Sequence, residues 1–333
     1  MPSDRFSHLL AGAVALLLSA GCYTVKTSHV YTSDDDSDDA PSSHVQGNTV
    51  DDTALRELLN LADSRDAELR CNAIESLQDA APDDAVDPAE AALDSDNVQV
   101  RFAGCMVLGT LRVTDAHQRL LKLHDEERSR VVQVGIRFAL HRLGDVRYSH
   151  DLEKYAVDPD PEVRGKTALV LGRLGEPSAI PILRAMQHDP DEAIRLQAAE
   201  SLWRLGDQRG LDDLAGFAIS KYADDLIIST LALAAPRDPT VIQHVRANLD
   251  ADYPEVELAA ARALGMLGSD EGYPLAMQYL HSSEPRQRWM AAQALGAIGR
   301  PDAKGALAGL LNDSSDQVRL AAAAAILELH KPS

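Results

Sequence analysis

Apolar residues return along this chain at a spacing that only a repeated unit explains. With Arg164 as the reference, the equivalent positions are Arg70, Arg101, Gln133, Arg164, Arg195, Leu226, Glu257, Arg288 and Arg319, spaced by 31 residues with one spacing of 32. Seven residues after each stands an aliphatic side chain: Leu77, Leu108, Leu140, Leu171, Leu202, Leu233, Leu264, Leu295 and Ile326. Within a unit, core positions fall one before the reference and three, four, seven and ten after it, one face of a helix. A preceding helix carries Leu58, Leu121, Leu152, Leu183, Leu214, Val245 and Leu307, each twelve residues before the reference.

The segments between the two helices hold turn formers and helix caps, as in Asp158-Pro159-Asp160-Pro161 and Asp313-Ser314-Ser315-Asp316. Many units close with two glycines: Gly172 and Gly175, Gly265 and Gly268, Gly296 and Gly299. The second suits a left-handed C-cap. The first lies inside the helix, where Gly costs about 1 kcal/mol against Ala, so a neighbouring helix is expected to pack closely there. One residue after the reference runs an apolar flank, Cys71, Phe102, Val134, Gly165, Leu196, Ile227, Leu258, Trp289 and Leu320, assigned to contacts between units. A lone helix pair cannot bury its apolar stripe, whereas stacked pairs bury a continuous core. The prediction is an all-α, right-handed α-solenoid of about nine two-helix repeats over residues 53–333.

The 31-residue unit, with its Val-Arg start and Ala-Ala-x-x-Leu-Gly body, resembles the HEAT-like repeats of the phycobilisome-lyase type over about residues 53–331. The resemblance implies architecture, because the repeat serves scaffolds, lyase subunits and a metal-dependent hydroxylase alike. The hydroxylase branch builds a di-iron site from His-Glu dipeptides, and none of the eleven histidines here is followed by Glu. His124, His150 and His188 precede Asp, but at different phases of the repeat. HExxH, a Gly-rich phosphate loop and Gly-x-Ser-x-Gly are all missing. The expectation is a non-catalytic protein with no cofactor and no metal. The alternative is a HEAT-repeat enzyme, lyase-like or hydroxylase-like, with an unrecognised cofactor site.

Charge narrows the partners. Lys and Arg total 32 against 52 Asp and Glu, a net charge of −20, which disfavours nucleic acid and anionic lipid surfaces. The uncharged stretch from Phe6 to Gly21 is too short to span a bilayer and reads as a secretory signal. It ends Ser19-Ala20-Gly21-Cys22, which resembles the bacterial lipobox and implies a signal peptide over 1–21 with lipidation at Cys22. An ordinary signal peptide, or a cytosolic protein with an apolar tail, is the other reading. Residues 22–52, with Asp34, Asp35, Asp36, Asp38 and Asp39, read as an acidic, disordered tether. The implied location is the bacterial cell envelope, and Tyr23 after the cysteine favours the periplasmic side of the outer membrane. Cys71 and Cys105 are expected as buried free thiols, with a disulfide between them as the alternative.

An Arg in the first turn of a helix opposes the helix dipole, so the reference arginines predict a ladder of bidentate Arg–Asp pairs between units. Positions two, five and nine after the reference share the face opposite the core and are expected to line an exposed concave surface. That surface pairs Phe138 with Arg142, Leu169 with Arg173 and Glu200 with Arg204, and flanking units add Met106, Leu231, Arg262, Met266 and Met290. Aliphatics beside arginine suit a protein or peptide partner. Alternatively the arginines pair with nearby Glu or solvate the face. Unit three departs from the pattern with Gln133. Unit six departs with Leu226 and with Pro236 in place of the Leu-Gly pair, and is expected to bend the solenoid or present Leu231 outward.

Overall fold

The computed structural model describes residues 49–220 and 222–329, so the signal-like segment, Cys22 and nearly all of the acidic tether lie outside the described residues. Eighteen α-helices, and no strands, are found among the described residues. The first helix of each unit lies on the outside: α1 Val50–Ala62, α3 Val86–Ala92, α5 His117–Glu126, α7 Leu152–Tyr155, α9 Ile180–Met186, α11 Gln208–Phe217, α13 Ile242–Arg246, α15 Tyr273–Tyr279 and α17 Lys304–Leu310. The second helices form the inner wall: α2 Ala67–Ala80, α4 Val98–Leu111, α6 Arg130–Arg142, α8 Pro161–Leu174, α10 Glu192–Arg204, α12 Ala223–Ala234, α14 Pro254–Met266, α16 Pro285–Ile298 and α18 Asp316–Glu328. The split follows burial. Every residue from Leu258 to Met266 of α14 is buried, whereas α11 buries only Gly210 and Leu214.

Successive inner helices touch where glycine permits it. A Cβ on Gly172 of α8 would lie 2.9 Å from the Cα of Ser201 on α10, so any side chain there would push the units apart. The Ser201 hydroxyl uses this closeness to donate to the carbonyl of Ala168, at 2.8 Å. The second glycine behaves as expected too, with Gly175 at φ +76° ending α8.

The predicted ladder is present in part: Arg101, Arg164 and Arg288 make bidentate pairs to the next unit, whereas Arg195 turns to Glu192 of its own helix. Arg164 Nε donates to Asp189 Oδ2 at 2.7 Å and its Nη2 to Oδ1 at 3.0 Å, joining unit four to unit five. Its Nη1 meanwhile caps the carbonyl of Asp158, in its own inter-helix turn, at 2.7 Å. Arg288 repeats the arrangement with Asp313, and Arg101 with Glu127. Gln133 keeps the turn-capping half of the role, its amide donating to the carbonyls of His124 and Glu127.

The described units do not form an open solenoid. Helix α18 packs against α1 and α2, so the ninth unit finds its next neighbour in the first. Arg319 Nε, the last reference arginine, donates to Glu57 Oε1 across this seam at 2.8 Å. Lys304 Nζ reaches Asp51 at 2.9 Å. Small rotations of like sign between successive units accumulate in a solenoid, and here nine of them close a ring. Leu320, on the apolar flank of the ninth unit, is buried at this seam.

Candidate functional site

Closure turns the expected concave surface into the filled centre of a ring. Phe138 is 1% exposed and Glu200 1%, and Met106, Leu169, Leu231, Arg262, Met266 and Met290 are buried as well. Arg142, Arg173 and Arg204 are partly buried. The stripe expected to face solvent therefore faces the interior, and the outward Leu231 foreseen for unit six points into the core. The apolar side chains of the stripe are buried rather than presented to a partner.

Part of the interior's polarity is paired locally. Arg204 Nη2 donates to Glu200 Oε1 at 2.7 Å, and Gln197 donates to the other oxygen at 2.9 Å. This is the alternative in which arginine pairs with a nearby Glu. Arg262 Nη1 donates to Gln293 on the next unit, at 3.1 Å. Lys166 sits with its ammonium 4.7 Å from the centre of the Phe102 ring, two units away. Burial lowers the Lys166 pKa, while the charges of Glu75 and Glu162 act the other way. A small cavity of about 50 Å³ is lined in part by Glu75, Asp79, Arg262, Gln293 and Glu328, from the four units around the seam. It has room for water rather than for a peptide.

Cys71 and Cys105 are free thiols as expected, but only Cys105 is buried and Cys71 is half-buried. Burial pushes the Cys71 thiol up to about 12 and raises that of Cys105 further. Both are therefore held as unreactive thiols. Among the described residues no group of three or more His, Cys, Asp or Glu side chains is placed to hold a metal ion.

The other surface of note is the loop edge, where each outer helix turns into its inner partner. In units one to five the inner helix starts from a capping side chain. Asp66, Asn97, Ser129, Asp160 and Asp191 each accept a backbone N–H of the first turn. In units six to nine no side chain at that position caps its helix: Glu284 and Ser315 stand there in units eight and nine, against the cap expected of Ser315, and Tyr222 and Tyr253 in units six and seven. Sequence reasoning passed over them, although the column four before the reference contains the signal.

A second pocket, about 280 Å³ and wide open, lies where α7 is cut short, lined by His124, Arg137, Arg147, Tyr148 and Asp151. Its cations are largely engaged. Arg147 is bidentate to Asp145, and Arg137 donates to the carbonyl of Gln133.

A family model for HEAT repeats matches residues 55–140, 150–235 and 242–328. No curated protein matches the chain. Among solved structures, the complex of CpcE and CpcF of phycocyanin lyase from a Nostoc species is similar at 21% identity, covering 71% of this chain and 85% of that one, with a TM-score of 0.42. Human deoxyhypusine hydroxylase is similar at 18% identity, covering 84% and 96%, with a TM-score of 0.36. An engineered protein aligns at 19% identity, covering 81% and 87%, with a TM-score of 0.32.

Proposed function

The chain belongs to the HEAT-repeat family, and from that premise we propose that it is a non-catalytic adaptor of the bacterial envelope that binds a protein partner on the outside of its ring. The observation that carries this reading is the use made of the inner wall. Phe138, Leu169 and Leu231 are buried there and Glu200 is already paired with Arg204, so these side chains hold the ring together. Contact with a partner is left to the outer helices and the loop edges, which is where loops on a rigid scaffold commonly carry function.

In this reading residues 1–21 are a signal peptide, Cys22 carries the lipid, and the acidic segment to residue 52 joins the anchor to the ring. Acyl chains gain about 0.8 kcal/mol per buried CH₂, so more than one of them anchors stably. The partner is a protein or peptide; the acidic balance argues against nucleic acid.

Site-specific photo-crosslinking in intact cells tests the proposal. Probes at exposed loop-edge positions are expected to give adducts with a protein, and fewer of them when Cys22→Ala releases the chain from the membrane. A probe at Phe138 is expected to give none. Adducts from Phe138 alone, or iron or a chromophore that co-purifies stoichiometrically, would overturn the adaptor reading in favour of a ligand held inside the ring.

A further inference from the structure

Units six and seven carry a Tyr at the cap position of their inner helices. A Tyr at an N-cap position leaves the first-turn amides without a side-chain acceptor and costs helix stability. The two tyrosines are also held in water, Tyr222 being 62% and Tyr253 48% exposed, while Ile219 nearby is 86% exposed. Units eight and nine lack a side-chain cap as well, so the exposed rings, and not the missing caps, set this edge apart. Exposed aromatic and aliphatic side chains grouped on one edge are a contact surface.

The charge around this edge selects the partner. Asp224 lies two residues after Tyr222, and Asp250 and Asp252 lead into Tyr253; all three are exposed. Arg286 of α16 approaches Asp224 at 3.6 Å, with more than half of each side chain exposed. The chain's own segment before residue 49 does not suit the site, because Asp34, Asp35, Asp36, Asp38 and Asp39 would meet like charge. A second copy, with a net charge of −20, is disfavoured for the same reason.

We propose that the loop edge of units six and seven docks an extended, Arg- or Lys-rich segment of a partner protein, with Tyr222 and Tyr253 as its two aromatic contacts. The inference rests on the protein-binding reading above. Cations lie over tyrosine faces while neighbouring carboxylates pair with them. Helices α12 and α14 pack against each other, and packed helices run about 8–10 Å apart. An extended segment advances about 3.3 Å per residue. Two basic residues three positions apart therefore span both rings.

Fluorescence anisotropy with a labelled peptide carrying Arg at every third position, Gly and Ser between, tests the site directly. A matched peptide with Glu for Arg is the control. The ring is expected to bind the Arg peptide and ignore the Glu peptide. The informative variant is Tyr222→Asp with Tyr253→Asp, which adds two negative charges and restores two helix caps. Charge attraction alone makes this variant bind more tightly; the proposed aromatic contacts make it bind about tenfold more weakly, while its Tm rises. Tyr222→Phe with Tyr253→Phe is expected to keep wild-type affinity. Unchanged or tighter binding by the double Asp variant would overturn the site, as would failure of the wild-type ring to bind the Arg peptide. If photo-crosslinks elsewhere on the outer surface persist in either case, the adaptor reading stands and only this site falls.

Discussion

The same inner helices build both the centre of the ring and its loop edge, yet the two regions treat polar groups in opposite ways. In the centre, Glu200 is 1% exposed and is held by Arg204 and Gln197. At the edge of units six and seven, Asp224, Asp250 and Asp252 stand in water beside tyrosines that fail to cap their helices. The centre spends its charge on structure, and the edge leaves local stability unused. A solenoid interior is thus not a binding groove by default; whether it is one depends on whether the repeats close.

The largest contrast should come from deleting one carboxylate in each region. Glu200→Ala leaves Arg204 facing a buried site without its partner and is expected to cost about 3 kcal/mol. Asp224→Ala, exposed, should stay within about 0.5 kcal/mol. Urea denaturation of both variants checks this, and equal losses would break the contrast. The ladder comes next. Asp189→Ala strips Arg164 of its carboxylate and is expected to cost about 2 kcal/mol. Ser220→Ala, at the same phase in unit six, removes hydrogen bonds to Asp225 and to the Tyr222 amide without stranding a charge. It should cost about 1 kcal/mol. A gain follows at the edge, where Tyr253→Asp restores a cap and should add about 1 kcal/mol, read as a shift in the urea midpoint.

The smallest effect is the pH dependence of the ladder. The Arg288 guanidinium holds the Asp313 carboxyl below its ordinary value. Burial pushes Asp189 and Glu127 up, but hydrogen bonds from Arg164 and Arg101, with help from backbone amides, outweigh it and leave both lowered. A carboxyl depressed in the folded state binds fewer protons there than when unfolded, so its contribution is complete above the unfolded value, near 4, and is lost as pH falls through the folded one. Stability should therefore fall below about pH 4, and Asp313→Asn should flatten that part of the profile. An unchanged profile would show that this rung does not contribute to the acid response.

Much of the architecture was legible because it is written in columns. The Leu202 column, the reference arginines and the paired glycines each have a local cause that recurs every unit, and the ladder followed from a cation placed at the wrong end of a helix dipole. Closure was not legible, because curvature is set by small rotations between units that the hydrophobic pattern does not encode. One clue was present: Leu320 continues the apolar flank into the ninth unit, which therefore needs a further surface to pack against. The candidate stripe failed for the same reason. Arg142, Arg173 and Arg204 share a phase as expected, but a shared phase places residues on a face without saying whether water reaches it. Tyr222 and Tyr253 were visible as aromatics in a column of cap residues; their exposure had to be seen in three dimensions.

The ring itself is tested most directly by zero-length carbodiimide coupling of the purified monomer followed by peptide mapping. Lys304 Nζ lies 2.9 Å from an Asp51 carboxylate oxygen across the seam. An amide linking these two side chains should form within single chains, persist on dilution and vanish in Lys304→Ala. Its absence, or its appearance only in covalent dimers, would mean that the ninth unit does not meet the first and that the inner wall is open after all.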